Sequence, residues 1–504
     1  MKKSYEDIHG KKYNRWLILF VVVLIAFAGT IMQTSLSTAL PTLMKSFDIS
    51  MSTAQTATTY YLLVNGIIVP LSAVFLTRVP TKRLYLILGI TQLVGIIMTY
   101  FSPNSSWGFF IAGRIITALA VGILSSTMAV IVMNIFSFKE LGTAIGLTGL
   151  ALGLAPAVGP TLTGWILSKS HVIFGLTVSS SWRSMFLPSL LVTALCVVLI
   201  PFVMHDVVEN HRQKIDFVSV LLSTIGFGSF ITGFSNVADK GWGDLSVILP
   251  VIIGVVFIGL FAWRQLRMDD PLLDVRLFLN SRFTVATVGT LLVTMAMYGV
   301  EMMLPTYLQN VRGMSPLNSG MTLFFGALMM GVMAPIAGNL ADKYGVKKLA
   351  LTGFFILAIG TLPFAFISAT TPTLLIKVMY AVRMIGIATA LMPLTTAAMT
   401  AVALEHSTHA STINNTARQI SSSIAVAVLT SLTQNTTTNA LPHHALKIAD
   451  PLAYGAKSIT AAVSGFRVSF IAGLVLAILG FVFVCFIKKQ TKSNGVQNEV
   501  QQKS

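Results

Sequence analysis

GNLADKYGVKK, Gly338 to Lys348, is a short basic loop set between two long apolar runs. The runs cover 319–338 and 349–369. Each has the roughly 20 residues that an α-helix needs to cross a bilayer. Three lysines, Lys343, Lys347 and Lys348, mark the turn between them. A second stretch has the same character: TRVPTKRLYL, from Thr77, also joins two apolar runs with a few basic residues. It precedes the DKYGVKKLAL part of the first loop by 265 positions.

Working outward, the same pattern of apolar run and polar break fills the chain. Among its 504 residues, 54% are hydrophobic and 10% charged, with a mean hydropathy of +0.80. Soluble domains carry about 25% charged residues, so a soluble multidomain protein is excluded. Fourteen candidate spans are read at 16–38, 56–77, 84–101, 108–132, 142–167, 185–204, 216–235, 246–263, 284–308, 319–338, 349–369, 374–400, 410–432 and 464–487. The first follows MKKSYEDIHGKKYNRW and is too long for a signal-peptide core, so it reads as a retained span. Cys196 and Cys485 both fall inside apolar spans and imply no disulfide framework.

An even number of spans puts both ends on one side. With the ends inside, about 22 of the 34 Lys and Arg fall in inner segments and about 7 in outer loops. The positive-inside rule then places both termini in the cytoplasm, in the cell membrane. It also accounts for the net charge of +17 without nucleic acid. Trp16, Trp107, Trp165, Trp182, Trp242 and Trp263 lie near span ends or in short loops, as an interfacial aromatic belt requires.

A second pair of segments supports an internal repeat. GRIITALAVGILSSTMAVIV begins with Gly113-Arg114, and VRMIGIATALMPLTTAAMTAV with Val382-Arg383. Their arginines are 269 positions apart. Six spans with loops need roughly 200 residues here, and the surplus accommodates two extra helices. The expected fold is an all-α membrane protein with 14 transmembrane helices as 6+2+6. The units are 1–210 (a six-helix bundle), 211–270 (two inserted helices and linker) and 271–504 (a second six-helix bundle). Duplicated halves are a mark of secondary transporters.

Polar groups within the spans carry the chemistry. Glu301, in MYGVEMMLPTYLQ, is the clear acidic exception, about seven residues from the outer end of the ninth span. That is roughly 10 Å deep at 1.5 Å per residue. Burial favours the neutral form of a carboxyl group, which suits a proton carrier loaded on one side and emptied on the other. The alternative is a carboxylate with local hydrogen bonds at the outer interface. Arg114 must face the bundle interior, either tuning a proton site or bonding to backbone carbonyls; Arg383 carries the same two readings. The thirteenth span, HASTINNTARQISSSIAV, places Asn414, Arg418 and Ser421 or Ser422 at helical spacing. A polar stripe on a span lines a cavity or bonds to neighbouring helices; with Gln419, and with Gln33 of the first span, it is read as cavity lining.

The fifth span carries Gly142, Gly146, Gly149, Gly153, Pro156, Gly159, Pro160 and Gly164. Most recur every three or four residues and share one face, where small residues let helix backbones approach closely. The two prolines bend the helix. The tenth span echoes this in GALMMGVMAPIAGNLAD. Spans five and ten are expected to pack across the two halves as a seal that opens when the halves rock.

These motifs resemble the major facilitator superfamily, in its fourteen-span EmrB/QacA-type drug:proton antiporter branch. Gly338, Asp342, Gly345, Lys347 and Lys348 match the family loop G-x-L-a-D-x-x-G-x-[RK]-[RK]. The copy at Thr77–Arg83 keeps the basic residues and lacks the Asp and both glycines. Arg114 with Gly122 fits the fourth-span arginine motif. Gly146, Ala155, Gly159-Pro160 and Thr163-Gly164 resemble the fifth-span antiporter motif, with Ala155 and Thr163 in place of two glycines. That motif implies export rather than uptake. Where many relatives carry an aspartate in the first span, this chain has Met32 and Gln33.

The function expected is proton-coupled efflux of amphipathic drugs or toxic compounds by alternating access. Export of one specific metabolite is the alternative. The partners are a lipophilic small molecule, protons and the bilayer. No catalytic cluster suggests an enzyme, and no G-x-x-x-x-G-K-[ST] motif suggests an ATP-driven pump. The pairs His406/His409 and His443/His444 read as solvated loop histidines, so no metal or cofactor is expected. No sequence feature assigns an accessory protein.

Overall fold

The computed structural model describes residues 7–8, 10–69, 71–136, 138–173, 176–208, 216–268, 271–402 and 407–486. The chain is a bundle of long helices. The first group is α1 (Arg15–Phe47), α2 (Met51–Ile68), α3 (Leu71–Arg78), α4 (Thr81–Tyr100), α5 (Trp107–Ile135), α6 (Phe138–Ser168) and α7 (Leu187–Val203). A hairpin of α8 (Phe217–Lys240) and α9 (Leu245–Arg267) follows. The second group is α10 (Ser281–Asn310), α11 (Pro316–Tyr344), α12 (Val346–Thr361), α13 (Thr373–Thr400), α14 (Ser407–Asn439), the short α15 (His444–Ala449) and α16 (Pro451–Cys485). Eleven candidate spans among the described residues are long and apolar enough to cross a membrane. The helices α2, α6 and α14 run beside them.

The helices differ from the apolar runs in instructive ways. The second span is two helices, α2 and α3, on either side of Pro70, a residue type with no amide hydrogen to give. The first continues to Phe47, well past the polar run Gln33–Thr38, because Leu40, Leu43 and Phe47 are buried. Between α6 and α7 a small antiparallel hairpin forms from β1 (His171–Ile173) and β2 (Leu176–Val178). Trp182 departs from the interfacial belt. It is 3% exposed and packs on Phe47, Phe110 and Phe186, because its 3-10 turn folds back over the ends of α1 and α5. His409 lies in the first turn of α14 rather than in a loop, and His444 opens α15; His406 lies outside the described residues.

The two groups repeat one packing plan. A Cβ on Gly95 of α4 would lie 2.6 Å from the Thr117 nitrogen of α5. A Cβ on Gly360 of α12, 265 positions later, would lie 2.6 Å from the Arg383 nitrogen of α13. Such close crossings supply van der Waals packing where apolar lipid removes most of the hydrophobic driving force. The helices α1 and α10 run parallel, with Gln33 beside Tyr298 and Thr38 beside Gln309. Antiparallel α16 places Val484 beside Gly289 and Gly473 beside Val300. The start of α1 and the end of α16 therefore share one side of the bundle, here the terminal side; the other is the far side.

The basic loop that opened the sequence reading has a physical cause. Gly345 ends α11 with φ +86°, in the left-handed region that favours glycine. Its amide donates to the Ala341 carbonyl, and α12 starts at the next residue. Lys347 Nζ donates to the Cys485 carbonyl at the end of α16, 2.5 Å away, where a helix terminus favours positive charge. Asp342 lies in α11, with its side chain outside the described residues. In the first-group loop, which lacks the matching aspartate, Asp206 beyond α7 accepts the Lys82 amide at the start of α4 (2.9 Å).

The hairpin base is clamped. Arg264 donates to both carboxylate oxygens of Asp216, from Nε at 3.0 Å and Nη2 at 2.9 Å. Burial raises the Asp216 pKa, but the bonds from Arg264 and Ser219 outweigh it and hold the carboxyl below its usual range. A depressed carboxylate contributes stability above its unfolded pKa and loses it only as pH falls through the folded one. The clamp therefore persists across neutral pH.

Candidate functional site

The polar residues within the spans converge where α1, α2, α10 and α14 meet. Arg114 of α5 is fully buried; its Nη1 donates to the Met32 carbonyl of α1 at 3.0 Å. Its guanidinium lies over the Tyr61 ring of α2, 4.3 Å from the centroid, a contact worth roughly 2 kcal/mol when desolvated. The Tyr61 hydroxyl donates to the Gly29 carbonyl at 3.1 Å. Arg383 of α13 mirrors this arrangement. It is fully buried, and its Nη2 donates to the Ala296 carbonyl of α10 and to Met297 O at 3.4 Å. Met32 and Ala296 are 264 positions apart, so both halves use a buried arginine to hold a mid-helix carbonyl of their first helix.

The halves differ in their acid. Glu301, 2% exposed, lies one turn beyond Met297 on α10. Arg383 and Tyr380 lie within its electrostatic range. It sits among the buried core of the second group. The Arg114 arrangement has no equivalent carboxylate, since Leu36 stands 265 positions before Glu301 on α1. Each arginine leaves two guanidinium nitrogens without a protein acceptor among the described residues. Each buried ion carries several kcal/mol of desolvation, and of the two arginines only Arg383 has a carboxylate, Glu301, within electrostatic range.

Tyr298 joins the two arrangements. Gln33 Nε2 donates to its hydroxyl at 2.7 Å. Gln33 and Tyr298 are 265 positions apart, so equivalent places on the two first helices touch across the interface. Tyr298 also lies within electrostatic range of Glu301, Arg418 and Tyr61. The result is a polar chain running Arg114, Tyr61, Tyr298, Glu301, Arg383, in which Arg114–Tyr61 and Gln33–Tyr298 are contacts and the other links, Arg418 included, are electrostatic only. The structure thus brings together Gln33, Arg418, Glu301 and Arg114. Asn414 is buried, with its Nδ2 unpartnered among the described residues. Gln419 lies against Gly66 of α2, in the seam between the halves. Sequence reasoning missed Tyr61, Tyr298 and Tyr380. The available signal was a tyrosine three places before Glu301, the one glutamate buried among the described residues.

Removing the Tyr298 hydroxyl leaves Gln33 without its partner. A net hydrogen bond is worth about 1 kcal/mol. Tyr298→Phe is expected to shift the balance between closed and parted α1 and α10 about five-fold. Spin-label distance distributions between the halves would measure this, and unchanged distributions would refute it.

The seams between the halves are formed by small residues. Along α6/α11, a Cβ on Gly164 would meet the Pro316 carbonyl at 2.4 Å, and one on Gly320 the Pro160 carbonyl at 2.6 Å. Thr161 Oγ1 donates to the Gly320 carbonyl at 3.2 Å. Gly159 packs inward, its Cβ position 2.2 Å from Thr34 Oγ1 of α1. Gly146 and Pro156 lie in α6, with their surroundings outside the described residues. Gly338 is 18 residues beyond Gly320, five full turns along the same helix face, and its Cβ position has nothing within 4 Å. The seam is closed on the far side and, among the described residues, has open space at Gly338 toward the terminal side. Gln309 Nε2, donating to Thr38 O at 2.8 Å, closes α1/α10 on the same far side. Among the described residues no group of three or more metal-ligating side chains occurs.

The sequence matches the model of the Major Facilitator Superfamily over residues 19–426. It is 34% identical over 484 residues to the uncharacterized MFS-type transporter YcnB of Bacillus subtilis, covering 96% of this chain and 97% of that one. It is 31% identical over 484 residues to the lincomycin resistance protein LmrB of Listeria innocua, covering 96% and 99%. Among solved structures it is similar to a bacterial homologue of the human lysosomal transporter Spinster, in an inward-facing and unoccupied conformation. That likeness has a TM-score of 0.63 at 14% identity and covers 93% of this chain and 96% of that one.

Proposed function

The chain belongs to the Major Facilitator Superfamily, and from that premise we propose that it is a proton-coupled exporter of amphipathic, lipophilic compounds working by alternating access. The observation that carries this reading is the burial of Glu301 on α10, one turn beyond Tyr298, whose hydroxyl accepts from Gln33 of the other half, with buried Arg383 within electrostatic range. Glu301 takes a proton when the far side opens and gives it up when the terminal side opens. Arg383 balances the carboxylate once the proton has left. One proton crossing about 100 mV supplies roughly 2.3 kcal/mol, enough for about fifty-fold accumulation of an uncharged substrate. The name of the relative LmrB, a lincomycin resistance protein, supports export of an antibiotic-like substrate.

In this reading the protein crosses the cell membrane fourteen times as 6+2+6, with units at 1–210, 211–270 and 271–504. The terminal side, where the basic loops lie, is cytoplasmic. Gly159, Pro160 and Gly164 belong to the seam that opens; Gly338 to Lys348 form the loop at its cytoplasmic end.

The test is substrate-driven proton movement. Everted vesicles holding an acidic interior and a pH-sensitive dye receive a panel of lipophilic cations and neutral amphiphiles. Several compounds are expected to dissipate the gradient. A response to a single compound would replace drug export by export of one metabolite. No response, with the protein shown to be inserted and folded, would overturn the proposal.

A further inference from the structure

Besides the α1/α10 contact, the two halves meet along the α2/α14 and α6/α11 seams, and among the described residues only the first is covered by another helix. At the α2/α14 seam, Ser423 Oγ donates to the Thr59 carbonyl at 2.6 Å, and a Cβ on Gly66 would meet Ile420 Cγ1 at 2.9 Å. The helix α8 contacts both α2 and α14 there. Ile231 of α8 is fully buried between Leu63 and Ala427, with Phe227, Phe230 and Phe234 packed around it. Ser431 Oγ of α14 donates to the Phe234 carbonyl at 2.9 Å. Behind α8 stands α9, close enough that a Cβ on Gly254 would lie 2.6 Å from the Phe230 nitrogen. The clamp at Asp216 and Arg264 fixes the hairpin base.

Among the described residues the α6/α11 seam has no such cover. The helices packed on α6 are α11, α1 and α5; those on α11 are α6, α13, α10, α12 and α1. All belong to the two halves themselves. This is also the seam with open space toward the terminal side, where the Gly338 Cβ position has nothing within 4 Å. A gap of this kind in a membrane protein faces the acyl chains of one leaflet.

We infer that the inserted α8–α9 hairpin seals one seam between the halves against lipid, and that lipophilic substrate enters sideways from the terminal-side leaflet through the other, the α6/α11 seam. The physical reason is partition. An amphiphile dissolved in the leaflet is concentrated there, and a single lateral opening admits it without a passage through water. Two open seams would instead let lipid itself reach the polar chain around Tyr298. The route rests on the export reading; the one-sided opening does not.

Two measurements separate them. Spin labels at Ala334, on the seam face of α11, and at Tyr60, under α8, are compared in lipid vesicles with oxygen as the apolar relaxation agent. Oxygen is expected to relax the label at Ala334 several-fold more than that at Tyr60. Equal relaxation would overturn the one-sided opening, whatever is transported. Export is then followed with two dyes, the bilayer-resident trimethylammonium diphenylhexatriene and the water-soluble ethidium. Ala334→Trp, which narrows the gap, is expected to slow the first at least five-fold and the second less than two-fold. Adding Phe230→Ala and Phe234→Ala, which thins the α8 cover, is expected to restore the first. Equal slowing of both dyes, or no slowing of either, would overturn the lateral route. Export of neither dye by the wild type would overturn the export reading and the route with it, and leave the spin-label result to decide the opening alone.

Discussion

Glu301→Gln is expected to retain the fold and lose substrate-driven proton movement altogether. Glutamine keeps the size and the hydrogen-bonding capacity of the side chain and removes only the exchangeable proton. Without a proton carried in exchange, accumulation at about 100 mV falls by the roughly fifty-fold that 2.3 kcal/mol represents. Arg383 keeps its bonds to the Ala296 and Met297 carbonyls, so the helix crossing that positions it survives. The measurement is dye-reported collapse of a proton gradient in everted vesicles, wild type against variant, with monodispersity and thermal unfolding as fold controls. If wild type and variant respond alike, antiport stands and Glu301 is structural. Antiport would then need another carrier, and no other carboxylate lies in the polar chain described above.

The second large effect is at the α6/α11 seam. Gly164→Val and Gly320→Val each place a branched side chain where even a Cβ would lie 2.4 or 2.6 Å from an opposing backbone carbonyl. Backbone cannot move aside as a flexible side chain does. Overpacking of this kind costs about 1–3 kcal/mol, or roughly 5- to 150-fold in the balance between closed and open far side for each substitution. The double variant is expected to stand open on the far side and to transport at background level. A cysteine at Thr38, fully buried in the closed seam, should then react from the far side with a membrane-impermeant maleimide. Wild-type transport with Thr38→Cys still unreactive would remove the gate from this seam.

Much of this was legible in the chain. Apolar runs of membrane length place most of the helices to within a few residues, because a helix in lipid must satisfy its own backbone and its length must match the bilayer. Errors came where polarity and helicity part company. The Gln33–Thr38 run reads as the end of a span, yet α1 continues through it, because those side chains face other helices rather than lipid. Trp182 reads as an interfacial residue and is core, since residue type does not say how a loop folds back. The expectation that spans five and ten pack together rested on small residues at helical spacing, and α6 and α11 do meet there through Gly164 and Gly320.

By itself the sequence determined that the protein is a membrane bundle with a repeated plan, that its basic loops turn back on one side, and that Glu301 is the one acid committed to the interior of a span. These are local properties: hydropathy, spacing and charge, which act on each helix separately. Only the tertiary structure decided which polar groups meet. Gln33 and Tyr298 are far apart in the chain and touch because the two first helices lie side by side. Arg383 comes within electrostatic range of Glu301 because α13 packs against α10. Where the α8–α9 hairpin packs was wholly a tertiary matter. Nothing in an apolar run states which seam it will cover, since lipid and protein are equally apolar surroundings for it, and packing alone makes the choice.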